Sequence, residues 1–420
     1  ALDQHCRGQW TAAEALYRSA LVERYFHQAL DQHCRGQWTA AEALYRSALV
    51  HAPGRPSVLL NLSAVLIEQH RFDEAKPLCE QVLAEEPDNP DALSQLGCCL
   101  RTLAGPEQAI DPLRRAIEKR PDDFQSHCIL GAALAELDRR GEALAHFDQA
   151  LQAMPGEPHT LGHRARMLAR LGRPADALAD CLQALSRDPA CQVAGQALRE
   201  LLDDDGQPPP LRTPDLDAAL LRAANAPWAG PMVASGLVRR LLRSQPGLST
   251  WLARARVAWP ERLPADRVLG EDAVRDALAD PLLAPLLGMA PILDGDFRPW
   301  LTGVRHALAH TVFERRNEEG DGDVLLALHC AIGRQCALNA YAWETTPEED
   351  AIVDRLRKVL RAALLSGHAP PARWIAAAAC YGPLSEFPGI ARLDTGPMPA
   401  ALRNLLGEAR SAAPPAGTLH

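Results

Sequence analysis

Residues 124–157 read FQSHCILGAALAELDRRGEALAHFDQALQAMPGE, and the spacing of residue types in this stretch returns throughout the first half of the chain. Pro155, near the end of this stretch, is one of five prolines that stand 34 residues apart, at Pro53, Pro87, Pro121, Pro155 and Pro189. A small residue stands twelve positions before each proline, at Ala41, Ala75, Ala109, Ala143 and Ala177. A larger residue stands eight positions before each, at Tyr45, Cys79, Leu113, Phe147 and Cys181. A fixed period of this length predicts stacked repeats rather than one compact core.

Pairs of antiparallel helices explain these positions physically. The first helix of each unit has its own small residue, at Ala29, Ser63, Gly97, Gly131 and Ala165. Two helices approach closely only where a side chain is small, and the larger residue one turn further on fills the remaining space. The proline ends the second helix because it cannot continue the hydrogen-bonded ladder. Since one pair cannot bury its apolar face alone, the units are expected to stack into a solenoid.

The chain resembles the tetratricopeptide repeat family over residues 22–189, in its period, its small positions and its terminal prolines. The resemblance implies a helix-turn-helix solenoid over residues 23–202, with CQVAGQALRELL at 191–202 as the helix that covers the last repeat. It also implies that the first helix of each pair lines a concave groove that binds peptides. The side chains predicted to face this groove are Asn61, Glu68, Asp91, Gln95, Arg101, Gln125, Glu136, His159, His163, Arg166 and Arg170.

The predicted groove is polar, with mixed charges, and becomes basic towards its C-terminal end. There His163, Arg166 and Arg170 share one face of a single helix, since they are three, four and seven positions apart. Such a face suits an extended peptide with acidic groups. The alternative is local ion pairing of these cations with Asp176, Asp180 or Glu136, which would contribute only about 0–1 kcal/mol per exposed pair. The groove lacks the Lys/Asn set with which related repeat proteins hold the carboxylate tails of chaperones, so that ligand is not predicted.

Residues 1–22 repeat residues 29–50 without one change, as ALDQHCRGQWTAAEALYRSALV. The offset of 28 residues differs from the period of 34, and it leaves no turn between Ala20 and Glu23. We therefore expect residues 10–33 to form one continuous helix that does not continue the solenoid in register. We interpret the identical segment as an artefact or as part of a neighbouring molecule; a recent genuine duplication is the alternative.

The segment DDDGQPPPLRTP at 203–214 predicts an extended linker, because it combines a charge run, a glycine and three consecutive prolines. Beyond it we predict a second all-α domain over residues 215–410 and a flexible tail at 411–420. Apolar residues three and four positions apart predict helices at 215–225, 230–243, 271–288, 295–315, 323–343, 347–366, 371–381 and 399–410. The overall fold class is therefore all-α, a repeat solenoid followed by a second helical domain.

Two segments of this second domain are distinctive, LHCAIGRQCALNAYAWETTPEED at 328–350 and ACYGPLSEFPG at 379–389. Roughly over residues 270–410 the chain resembles the helical region that precedes the catalytic domain in bacterial repeat-containing SAM-dependent methyltransferases. The residues that match are Gln335, Cys336, Asn339, Tyr341, Cys380, Tyr381, Pro383 and Leu384. Only ten residues follow Arg410, so we expect the catalytic domain of those proteins to be absent from this chain. The polar residues of the first segment either brace a helix from within or form part of a ligand pocket.

Composition and charge exclude several classes of function. The chain has 420 residues and a net charge of −9, and by count residues 1–205 hold 21 basic and 30 acidic side chains. This acidic balance argues against nucleic-acid binding, which needs a basic face. No run of 18 apolar residues occurs, so no membrane span is predicted. Eleven cysteines without a CxxC pair indicate reduced thiols and a cytoplasmic protein.

No nucleotide-binding, hydrolase or metalloprotease fingerprint occurs, so we predict neither catalysis nor a cofactor. His306 and His310 share a helix face, and so do His159 and His163, but a third metal ligand would have to come from elsewhere, such as His329. Two histidines on a polar helix edge explain each pair, so no metal site is predicted. The function that follows is a protein–protein interaction scaffold without catalytic activity. The alternative is a truncated or accessory part of a SAM-dependent methyltransferase whose solenoid selects the protein substrate.

Overall fold

The computed structural model describes residues 2–203, 212–270, 278, 280–292, 295–313, 322–396 and 398–411. The regular elements in these ranges are all helices, which confirms the predicted all-α fold class. The chain divides into two compact units, Ala1–Leu201 and Leu202–His420, and the division falls next to the predicted linker.

The first unit is built from five helix pairs and one further helix. The pairs are α1 (Leu2–Cys34) with α2 (Trp38–His51), α3 (Pro56–Glu68) with α4 (Phe72–Glu85), α5 (Pro90–Leu103) with α6 (Pro106–Lys119), α7 (Phe124–Glu136) with α8 (Arg140–Ala153), and α9 (Pro158–Arg170) with α10 (Pro174–Arg187), followed by α11 (Gln192–Asp203). Several helices begin with proline, whose missing N–H costs nothing at the first helical position.

The periodic residues form the core of this unit. The five alanines at the small position and the five larger residues four positions later have no solvent exposure: Ala41, Ala75, Ala109, Ala143, Ala177, Tyr45, Cys79, Leu113, Phe147 and Cys181. Each first helix also contacts the first helix of the next repeat, from α1 to α3 and onward to α9. We call the surface formed by the exposed side chains of α1, α3, α5, α7 and α9 the groove face.

The identical N-terminal segment is part of one continuous helix, α1, as the absence of a turn between Ala20 and Glu23 predicts. Val22 and Ala29 of this helix are buried against α2 and α3, whereas Leu16 and Tyr17 are 73% and 66% exposed. Helix α1 therefore contributes to the first repeat from Val22 onward.

The second unit consists of shorter and less regular helices. They are α12 (Pro214–Ala223), α13 (Gly230–Arg243), α14 (Pro246–Ala258), α15 (Ala265–Gly270), α16 (Leu283–Met289), α17 (Phe297–Thr311), α18 (Gly322–Leu338), α19 (Pro347–Leu365), α20 (Ala372–Ala379) and α21 (Ala400–Ser411), with short 3-10 turns at Leu384–Glu386 and Ile390–Arg392. Helix α18 packs against α16, α20 and α21. None of the helices that the structure describes has the length and apolarity needed to cross a membrane.

Several details of the second unit differ from the sequence prediction. The helix predicted at 271–288 is interrupted at residues 280–282, before α16 begins at Leu283, and α15 was not predicted. Helix α14 was not among the predicted helices, although its buried residues Leu248, Trp251, Leu252 and Ala255 have helical spacing. The helix predicted at 323–343 ends at Leu338, because Ala340 and Tyr341 adopt left-handed backbone angles with φ of 50° and 57°. Of the predicted linker and tail, residues 204–211 and 412–420 lie outside the described residues, as do residues 271–277 of the helix predicted at 271–288.

Candidate functional site

The eleven side chains predicted for the groove all retain contact with solvent. The exposed ones are Glu68, Asp91, Gln125, Glu136, His159 and Arg170, and the half-buried ones are Asn61, Gln95, Arg101, His163 and Arg166. Each belongs to a first helix, α3, α5, α7 or α9, so they lie on the elements that contact one another along the unit. The groove face therefore presents polar side chains across four repeats.

Several of these side chains already have partners within the unit. Arg101 of α5 donates to Glu136 of α7 at 2.9 Å, which joins two consecutive first helices. Asn61 donates to its own helix at the Ser57 carbonyl, at 2.7 Å. Asp91 accepts two hydrogen bonds from Arg120, at 2.8 and 3.2 Å. These residues contribute to the fold of the groove face as well as to its charge.

The basic end of the groove face holds fewer positive charges than the sequence indicates. The His163 ring is stacked on Phe147, with 5.6 Å between ring centroids and 10° between planes. Burial, and secondarily the neighbouring charges of Arg166 and Arg101, lowers the pKa of His163 to about 4. This histidine is therefore neutral at pH 7, and Arg166 and Arg170 are the cations of the predicted cluster.

The ion pairs around these arginines also differ from the expected ones. Arg166 contacts the following helix α11, with its Nη2 3.3 Å from Gln196 Oε1 and its Nε 3.5 Å from Glu200. The acidic residues expected to pair with it have other partners: Asp180 binds Arg164, Asp176 binds Arg173 and Glu136 binds Arg101. The Arg170 guanidinium forms no ion pair with the described residues. A ligand can therefore bind the Arg170 guanidinium directly, whereas at Arg166 it has to compete with Gln196 and Glu200.

The distinctive segments of the second unit meet in a buried polar network. Glu349 Oε1 accepts hydrogen bonds from Arg305 at 3.3 Å and from the Tyr381 hydroxyl at 2.8 Å. Its Oε2 accepts from the Thr346 backbone at 3.0 Å, within the capping box that begins α19. Arg305 also donates to the Glu344 carbonyl at 2.6 Å. Glu349 and Arg305 are 0% and 2% exposed, so these contacts brace the interior of the unit.

Gln335 has a similar bracing role. Its amide nitrogen donates to the carbonyls of Leu287 and Ala290, both at 2.9 Å. Its amide oxygen accepts from the Ile292 backbone at 2.8 Å and from Asn339 at 2.6 Å. The contacts of Gln335 with Leu287, Ala290 and Ile292 fix α18 to the chain around α16, and the contact with Asn339 lies at the C-terminal end of α18 itself. For Gln335 and Asn339 the structure therefore supports the bracing interpretation rather than the ligand-pocket one.

Tyr341 lies apart from that network and lines a pocket of about 550 Å³ in the second unit. Pro383 and Leu384, from the other distinctive segment, line the same pocket together with Leu338 and Leu405. Arg334 pairs with Glu408 there, at 2.9 and 3.1 Å. This pocket is apolar with one ion pair, a combination that ligand sites and packing surfaces share.

The histidine pair of α17 lies beside the buried network. The rings of His306 and His310 are 4.6 Å apart, and His306 Nδ1 is 3.7 Å from Glu349 Oε2. Glu314, the acidic residue that follows the pair, lies outside the described residues. Within the described ranges no third metal-ligand side chain joins these two histidines in a compact group.

Comparisons with known proteins agree with the repeat architecture. Two family models described as tetratricopeptide repeat match the chain, at residues 28–90 and 66–128. The first unit therefore contains tetratricopeptide repeats, as its period and small positions predict. No curated protein matches the chain.

Solved structures of repeat proteins are similar to part of the chain. YrrB, described as a TPR protein with an unusual peptide-binding site, is 24% identical, covers 41% of this chain and 89% of its own, and has a TM-score of 0.33. TTC0263, a thermophilic TPR protein of Thermus thermophilus, is 23% identical, covers 42% of this chain and 98% of its own, and has a TM-score of 0.38. MamA of Desulfovibrio magneticus RS-1 is 17% identical, with coverages of 40% and 94% and a TM-score of 0.34.

Proposed function

We propose that the first unit is a protein-interaction scaffold that binds an extended segment of a partner protein on the groove face. The single observation that carries the proposal is the row of polar, solvent-accessible side chains along four consecutive first helices. The ninth residue of α3, α5 and α7 is small, Ala64, Cys98 or Ala132, and leaves room for a peptide between the polar side chains. Extended peptides bind such surfaces through a few side-chain anchors along their length.

The C-terminal end of the groove face favours a partner with an acidic group. Arg170 is exposed and forms no ion pair within the described chain, although its charge helps to lower the pKa of Asp138. The Arg166–Glu200 pair is partly exposed, with 24% of the Arg166 side chain and 54% of the Glu200 side chain accessible to solvent. Surface pairs of this kind contribute about 0–1 kcal/mol, so a ligand carboxylate can replace Glu200 at little cost. A carboxylate held by an arginine forms charge-assisted hydrogen bonds worth about 1.5–3 kcal/mol.

The experiment is a selection of peptides from a display library on the full chain, followed by fluorescence anisotropy with the enriched peptide. Arg166→Ala combined with Arg170→Ala should weaken binding by about 1–3 kcal/mol, while thermal unfolding changes little. The matched control is Lys76→Ala with Arg114→Ala, which removes two cations from the second helices α4 and α6. Equal affinity of the groove variant and the control, or no enriched peptide, would show that this face is not the binding surface.

We further propose that the protein acts in a reducing compartment such as the cytoplasm. The ten cysteines that the structure describes are all free, and most of them are buried. Disulfides are rare in reducing compartments, where thiols persist. The alternative role as an accessory part of a methyltransferase rests on the resemblance of residues 270–410 alone, since the matching family models lie within residues 28–128. Calorimetric titration of the full chain with S-adenosylmethionine tests that alternative, and we expect no binding.

A further inference from the structure

Three side chains with metal-binding atoms converge at the C-terminal end of the first unit. His159 is in the first turn of α9, Asp188 follows α10, and Cys191 precedes α11. One ligand atom from each lies within 4.8 Å of the other two. Asp188 and Cys191 lie three residues apart in the turn between α10 and α11, where the Cys191 N–H donates to the Asp188 carbonyl at 3.1 Å, and tertiary packing brings His159 of α9 to them.

We propose that His159, Asp188 and Cys191 form a binding site for Zn²⁺ that fastens α11 to the last repeat. Imidazole, carboxylate and thiolate are the three ligand types that Zn²⁺ takes in proteins. With bonds of about 2.0–2.3 Å, ligand atoms on one tetrahedral ion lie about 3–4 Å apart. The side chains therefore need to close by only about 1 Å, and the fourth position is left for water or a ligand from a partner.

The close packing of α9 and α11 explains why these residues meet. Gly162 has no side chain, and a Cβ atom at this position would lie 2.6 Å from the backbone nitrogen of Ala194. The two helices thus approach through their backbones. His159 is three residues before Gly162 and Cys191 is three residues before Ala194, so both side chains lie one turn away from this contact.

The surroundings of the three side chains also suit metal binding. Asp188 Oδ1 accepts a hydrogen bond from the Ala190 backbone at 2.9 Å, which orients the carboxylate and leaves its other oxygen available. Burial raises the pKa of the Cys191 thiol, and metal ligation yields the thiolate because the ion replaces the thiol proton. Cys191 is 1% exposed, while His159 is exposed and provides the side from which an ion can enter.

The repeat register shows that this combination is particular to the end of the unit. Residues 34 positions apart correspond, and the positions equivalent to Cys191 hold Arg55, which forms no side-chain cap, and then Asn89, Asp123 and Glu157. The last three cap the helix that follows them through a side-chain oxygen. At Cys191 a sulfur atom takes the place of that oxygen. The repeat that ends at Cys191 is also the one whose first helix, α9, has a histidine, His159, as its second residue. An ordinary helix cap requires neither change.

The test uses the full chain, reduced and freed of metal with a chelator, and titrated with Co²⁺ as a spectroscopic probe. Binding at this site should give a thiolate-to-cobalt charge-transfer band with one ion per chain, and Zn²⁺ should remove the band by displacing Co²⁺. His159→Gln should weaken metal binding at least about tenfold, the loss that even residues supporting a metal site cause. Cys191→Ser should abolish the band, and the control Cys34→Ser, at an exposed cysteine outside the site, should keep it.

Thermal unfolding separates loss of metal binding from loss of folding. Zn²⁺ should raise the unfolding midpoint of the parent chain and not that of His159→Gln, while the two proteins should unfold alike in chelator because His159 is exposed. If Cys191→Ser fails to fold, the His159→Gln comparison still decides the question. A parent chain that gives no thiolate–cobalt band, or a His159→Gln variant that binds Co²⁺ as tightly as the parent, would overturn the proposal.

Discussion

Phe147 occupies the space that Gly131 leaves open between α7 and α8: a Cβ atom at residue 131 would lie 2.7 Å from Phe147 Cε1. The same relationship joins Gly97 and Leu113 one repeat earlier, where the distance to Leu113 Cγ would be less still. In both pairs the small residue of the first helix and the large residue of the second helix are 16 positions apart. The periodic small and large residues of the sequence are therefore the two sides of one packing contact.

Gly131→Ala should destabilise the first unit by about 1–3 kcal/mol, because the added methyl group would overlap the fully buried Phe147 ring. Outside such a contact the same change in a helix is favourable by roughly 0.5–1 kcal/mol. Gly141→Ala is the matched control, since a Cβ atom there meets nothing within 4 Å. Scanning calorimetry of the two variants and the parent checks that Gly131→Ala lowers the stability and that Gly141→Ala does not. A Gly131→Ala variant as stable as Gly141→Ala would contradict this packing account.

The repeat architecture could be predicted from the sequence because its signal is local and recurs at a fixed interval. The same reasoning did not predict that His163 is neutral, since its burial depends on the Phe147 ring of the preceding repeat. It also missed the partner of Arg166, because Glu200 belongs to α11, the helix that covers the last repeat, and the groove prediction did not include the side chains of that helix.

The grouping of His159, Asp188 and Cys191 was likewise not predicted from the sequence. The sequence analysis paired histidines by their spacing on one helix, whereas this group joins His159 of α9 to two residues of the turn between α10 and α11. For the distinctive segment at 328–350 the sequence singled out the polar residues but did not separate their roles. Gln335 braces α18, while Tyr341 lies beyond the end of that helix at a left-handed backbone position. Contacts between distant elements decide such roles, and no spacing along the chain reports them.

Deletion of residues 1–21 should leave the stability of the first unit nearly unchanged. The described side chains of α1 before residue 21 are exposed, including Leu16 and Tyr17, and the buried ones begin at Val22. Deletion of residues 1–29 is the comparison, because it also removes Val22 and Ala29 from the core of the first repeat. Thermal unfolding should distinguish the two, with a lower midpoint only for the longer deletion. A similar loss in both would mean that the identical N-terminal segment stabilises the solenoid.

Glu349→Gln should destabilise the second unit by about 3–5 kcal/mol, since it leaves the buried Arg305 guanidinium without its counter-charge. Glutamine can still accept the Thr346 backbone hydrogen bond that begins α19, so the change isolates the ion pair from the helix cap. Urea unfolding followed by circular dichroism measures the difference. The control is Glu348→Gln, an exposed neighbour in the same helix turn, for which a much smaller effect is expected. Comparable losses in the two variants would assign the effect to the helix terminus rather than to the pair.

His329 should make the second unit less stable at mildly acidic pH. Burial of its side chain lowers the pKa of its imidazole to about 4 in the folded chain, against about 6.5 when unfolded. Between these values the unfolded state binds a proton that the folded state excludes, so stability is full above about pH 6.5 and falls as the pH approaches 4, by up to about 1.4 kcal/mol per pH unit. His329→Gln should flatten this part of the stability profile, measured as unfolding midpoints in urea at a series of pH values. His368→Gln, which removes an exposed histidine of the same unit, should keep the slope of the parent. If the slope of His329→Gln equals that of the parent, buried His329 is not the group responsible.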